Sequence, residues 1–106
     1  MLYLGRLSGT GALRRGGEEI ARASFDFEGF LQKPMRVTSS GEIRAPAAVL
    51  LSVFGRTDIQ LLTDEGRLLN LRFSDKRLNS ESEAAQVEVT GELPATPLSW
   101  RHGDRV

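Results

Sequence analysis

Three groups of residues have the types and spacing to do chemistry. Arg14-Arg15-Gly16-Gly17 sets two guanidinium groups beside two glycine amides, a combination that can hold an oxyanion. Asp26 and Glu28 stand two residues apart, which on a strand puts them on one face about 7 Å from each other. Two carboxylates at that distance can act as a hydrolytic acid–base pair. Tyr3 and Phe30 fall outside the inward apolar pattern, and Trp100 lies near the C-terminus. With 12 arginines among 14 cations, such aromatics can stack on and grip a nucleic-acid strand.

Each group also has a plainer reading. Arg14-Arg15-Gly16-Gly17 makes a hairpin tip. The face that carries Asp26 and Glu28 also carries Arg22 and reads as solvated. The arginines are dispersed among acids, which is the pattern of a solvated surface. Gly9-Thr10-Gly11 lacks the lysine and the following helix of a phosphate loop.

Other chemistries lack their parts. The chain has no cysteine, so disulfides, thiolate metal sites and cysteine nucleophiles are excluded. His102 is the single histidine and lies near the C-terminus, which leaves neither a metal-ligand set nor a serine–histidine arrangement. The expectation is no metal, no cofactor and no enzymatic activity. Acids and bases balance at 14 each, so no field of one sign steers nucleic acid or an anionic membrane. The N-terminus lacks the charged lead and apolar stretch of a signal peptide. The longest apolar run, Ala45 to Phe54, is far below the ~20 residues that span a bilayer. The expected setting is soluble and cytoplasmic.

The elements that must position these residues are mostly strands. Ala21, Ala23, Phe25 and Phe27 alternate with Arg22, Ser24, Asp26 and Glu28, and Leu69, Leu71 and Phe73 alternate with Asn70 and Arg72. A period of two is that of a half-buried strand. Asp64-Glu65-Gly66 between two such runs is a short hairpin loop, with glycine at the position that needs φ > 0. Leu2 to Ser8, Met35 to Arg44 and Gln86 to Leu93 supply further strands. Thr57-Asp58-Ile59-Gln60 matches a capping box, but the loop and the alternation after it favour a strand. Ala45 to Gly55 breaks the period and predicts a short helix, with Pro46 in its first position, Gly55 just past its end, and Val49, Leu50, Val53 and Phe54 on one stripe.

The order is β-β-β-α-β-β-β. Six short strands with glycine bends predict a small antiparallel β-barrel over residues 1–94, with 95–106 a flexible tail. A two-layer β-sandwich is the alternative. A helix between the third and fourth strands is similar to the arrangement of the OB barrel, which binds single-stranded nucleic acid. The favoured function is a non-enzymatic binding or accessory module that recognises a protein partner or small ligand through loops. The alternative is an OB-like nucleic-acid-binding domain. Arg14, Arg15, Gly16 and Gly17 are the candidate anion site. Leu62, Leu68 and Phe30 are a candidate interface, because apolar residues on the outer parity can mediate self-association.

Overall fold

The alternation becomes six antiparallel strands in a computed structural model that describes residues 2–32, 36–91 and 93. The strands are β1 (Leu2–Arg15), β2 (Glu18–Gln32), β3 (Arg36–Arg44), β4 (Ile59–Thr63), β5 (Leu68–Phe73) and β6 (Ala84–Gly91), with helix α1 (Ala47–Val53) between β3 and β4. Neighbours run β1-β2-β3-β6-β5-β4, and β4 returns to β1, so the sheet is a closed barrel. Gly11–Arg15 of β1 pair with Ile59–Thr63 of β4. That pairing removes the two-layer alternative, since one continuous ladder leaves no second sheet to stack. The expected tail, with Trp100 and His102, lies outside the described residues.

β1 and β2 meet in a two-residue turn. Arg15 pairs with Glu18, and Gly16 and Gly17 take φ of 60° and 88°. Both central residues at positive φ match the right-handed twist of the flanking strands, and glycine adopts that conformation without steric cost. β1 runs well past the expected end at Ser8. Gly11 does not break it, because a Cβ there would stand 2.5 Å from the Leu62 carbonyl oxygen. The glycine is what lets β4 come close enough to pair. Gly41 plays the same part on β3, where a Cβ would lie 2.2 Å from the Asp26 carbonyl oxygen. Near the N-terminus the β1–β2 register shifts between Tyr3 and Gly5. The extra residue, Leu4, turns inward like Leu7, and both are buried.

The interior is filled by one parity of each strand. Leu13, Phe27, Ile43, Leu61, Leu69, Val87 and Val89 are essentially inaccessible. Each such side chain contributes about 1.5–3 kcal/mol relative to exposure. Phe25 and Phe27 stack at 5.0 Å within this core.

α1 runs from the end of β3 to the start of β4 and buries Leu50 and Val53 against the barrel. Pro46 is the cap residue rather than the first helical one. Its ψ of 144° is extended, and its carbonyl accepts from the amides of Val49 at 2.9 Å and Leu50 at 3.1 Å. Gly55 follows the C-cap at φ 82°. The Phe54 ring meets Phe73 edge-on at 5.4 Å. Residues 57–58 do not start a helix, and the chain enters β4 at Ile59. After β4, the Gly66 amide donates to the Thr63 carbonyl at 2.8 Å and the Arg67 amide to Thr63 Oγ1 at 2.9 Å, which closes the turn into β5.

Candidate functional site

The barrel is closed by unequal strands. β4 covers only Gly11–Arg15 of β1, and one further bond joins the Asp64 amide to the Thr10 carbonyl at 3.0 Å. Among the described residues, no strand pairs with Leu2–Gly9 on that side. The inner side chains of this stretch, Leu4 and Leu7, belong to the core. Its outer end carries Leu2 and Tyr3, which are 54% and 44% exposed and stand among the most exposed large apolar residues described. Tyr3 leans on Phe30 of β2, ring centroids 5.5 Å apart. Burial pushes the Tyr3 phenol up from its usual value, and the nearby Glu28 carboxylate adds to that shift.

Two recesses flank the same rim. One of ≈ 210 Å³ opens where β4 leaves β1, between Leu7, Gly9, Phe25, Thr63 and Asp64. The other, of ≈ 390 Å³, lies where β3 and β6 part beyond the Ser39–Val89 pair, lined by Phe30, Thr38, Ser39 and Thr90 among others. Ser39 Oγ is buried there with no hydrogen-bond partner among the described residues.

The turn after β4 is strapped to the outer face. Arg22 Nη2 donates to both Asp64 oxygens at 2.8 Å, and the Thr10 hydroxyl donates to Oδ2. These bonds hold the Asp64 carboxyl below the usual carboxylate range, the Thr10 contact first and the Arg22 contact second. Beyond Arg22 a wider cleft of ≈ 470 Å³ runs past Ser24, Arg44, Pro46 and Glu83. Both of its arginines already have acids, Arg22 on Asp64 and Arg44 on Glu42 at 3.0 Å.

The residues singled out from sequence fall in three places. Arg14, Arg15, Gly16 and Gly17 do converge at one hairpin tip. However, the Gly16 amide donates to the Asp58 carbonyl at 3.0 Å, and Arg14 Nη2 donates to the Gly17 carbonyl. Part of the proposed anion cradle is therefore spent within the chain. Arg56 holds Asp58 beside it through two hydrogen bonds of 2.8 and 2.7 Å, which lower the Asp58 carboxyl from its usual value.

Leu62 and Leu68 are cross-strand neighbours on the outer side of β4 and β5 and are half-buried, next to Ala12 of β1. Phe30 is not with them. It pairs with Tyr3 at the far end of β1. The three do not form one patch, because their β1 neighbours, Ala12 and Tyr3, are separated by roughly 30 Å of extended strand.

Asp26 and Glu28 do share the outer face of β2. Asp26 is gripped by Arg6 through bonds of 3.1 and 2.6 Å, and its side chain is 48% exposed. A salt-bridged, wet carboxylate has neither the dry surroundings nor the vacancy of a general acid. Among the described residues no group of three or more His, Cys, Asp or Glu is arranged to hold a metal ion, and no helix is long and apolar enough to cross a membrane.

Sequence reasoning found the hairpin tip and the outward aromatics. It missed the Thr10–Asp64–Arg22 strap and the open edge of β1, both of which depend on which strand ends meet. Comparison with protein families, curated proteins and solved structures returns no match to this chain.

Proposed function

We propose that this chain is a non-enzymatic binding module that takes a protein partner along the open rim of its barrel. One observation carries the reading: on the side away from β2, Leu2–Gly9 of β1 has no ladder partner among the described residues, while its inner face is part of the core. Such an edge presents a row of main-chain donors and acceptors ready for one more strand. Natural edges are blunted by proline, lysine, inward charges or bulges. This one has no proline, lysine or inward charge, its one interruption is the bulge at Leu4, and its single charged residue, Arg6, points outward to Asp26. Added strands gain affinity from main-chain bonds and selectivity from pockets for alternate side chains. The recess at Gly9 and Phe25 is suited to be one such pocket.

A photo-reactive amino acid in place of Tyr3 tests this in cells. The expected result is a protein adduct at that position and none from the same residue placed at Glu19, at the opposite end of β2. Equal labelling at both positions, or none at Tyr3, would overturn the reading.

One observation favours the nucleic-acid alternative: the Tyr3–Phe30 ring pair on the outer face. Asp26 and Glu28 sit on that face and repel phosphates, and Arg6 is already committed to Asp26. Salt-sensitive retention of a labelled single strand that drops on Arg14→Ala/Arg15→Ala would support that alternative instead.

A further inference from the structure

Main-chain pairing on the β1 edge does not by itself name the owner of the added strand. We propose that it is a second copy of this chain, set antiparallel, with Leu2–Gly9 of one β1 against Leu2–Gly9 of the other. The proposal rests on the reading of that edge as a protein-docking surface.

The shape of the edge is complementary to itself. Its bulk is at one end, where Leu2 and Tyr3 stand exposed, and its relief is at the other. There Gly9 has no side chain, and the ≈ 210 Å³ recess opens beside Leu7 and Phe25. Antiparallel pairing brings each bulky end against the partner's hollow end. A two-fold axis satisfies both halves at once, because the same patch is used twice.

The charge of the edge allows the same arrangement. Arg6 is its one charged residue, and its guanidinium is held by Asp26 of its own chain at 3.1 and 2.6 Å. No uncompensated like charges would face each other across the ladder. The whole chain has a formal net charge of zero, so copies do not repel at long range. On the inner side, Leu4 and Leu7 are already buried within each core, so the pairing would join the two molecules through main-chain bonds and the exposed Leu2 and Tyr3 rather than through the cores.

Sedimentation of the full chain over a range of concentrations tests the proposal. The expected result is a reversible dimer. Leu2→Glu/Tyr3→Lys should weaken it about tenfold or more, since charges placed in an interface core are strongly disfavoured. Neither side chain belongs to the core, so the β spectrum should stay as it is, with only a small fall in thermal midpoint from loss of the Tyr3–Phe30 ring contact. If the double variant loses its spectrum, Tyr3→Lys alone makes the same measurement. Leu62→Lys/Leu68→Lys should leave the dimer intact. A dimer that survives the first pair and is lost with the second would overturn the proposal. So would a monomer at every concentration. In that case a Tyr3 cross-link to a protein of different mass would leave the docking reading standing and give the edge to another partner, whereas no cross-link would remove both.

Discussion

Asp64 ties three segments together with one carboxylate, and its ionisation has a direction. The Thr10 hydroxyl and the Arg22 guanidinium hold its folded pKa below that of the unfolded chain. Stability from this strap is therefore fully present above the ordinary carboxylate pKa of about 4 and is lost as pH falls through the depressed folded value. The expected outcome is a thermal midpoint that falls in acid, with a shallower fall for Asp64→Asn over the same window. Carboxyl NMR should place the Asp64 titration below that of free aspartate. Gly41 makes a steric prediction. Gly41→Ala sets a Cβ against the Asp26 carbonyl, and overpacking of this kind should cost about 1–3 kcal/mol in urea unfolding. Ser39→Ala should go the other way. It removes a buried hydroxyl with no partner among the described residues, so stability should hold or rise by up to about 1 kcal/mol.

The elements divide into those whose cause is local and those whose cause is not. β2 was legible because Ala23, Phe25 and Phe27 alternate with polar neighbours and the structure buries all three. The Gly16-Gly17 turn was legible because few residues other than glycine take positive φ twice in a row. α1 was legible from Pro46, Gly55 and the apolar stripe. The length of β1 was not, because Gly11, a residue that weakens a strand in sequence, is the one that lets Leu62 approach it in space. The open edge was hidden for a related reason. Whether β4 covers β1 depends on where the barrel closes, and no local run of residues states that. At this scale, Leu50→Ala should cost about 2–5 kcal/mol, because the helix would lose its fully buried anchor and leave a cavity. Phe27→Ala should cost about 3–5 kcal/mol by the same measurement.

For the whole molecule, closure joins residues far apart in the chain: Arg15 with Ile59 and Gly11 with Thr63. Topologies built on such pairings fold slowly, so refolding followed by stopped-flow fluorescence or circular dichroism should take roughly milliseconds to seconds. The strand order also divides the barrel into two meanders, β1-β2-β3 and β4-β5-β6, which meet at the β1–β4 and β3–β6 seams. β6 is the last of the described strands. During synthesis, Ser39–Arg44 of β3 and Leu69–Phe73 of β5 must therefore wait for the same short segment, Ala84–Gly91, to leave the ribosome. A nascent chain stalled before Ala84 holds one complete meander, β1-β2-β3, and a β4-β5 pair without its third strand, and the flanks of β3 and β5 stay open to neighbouring chains until β6 arrives.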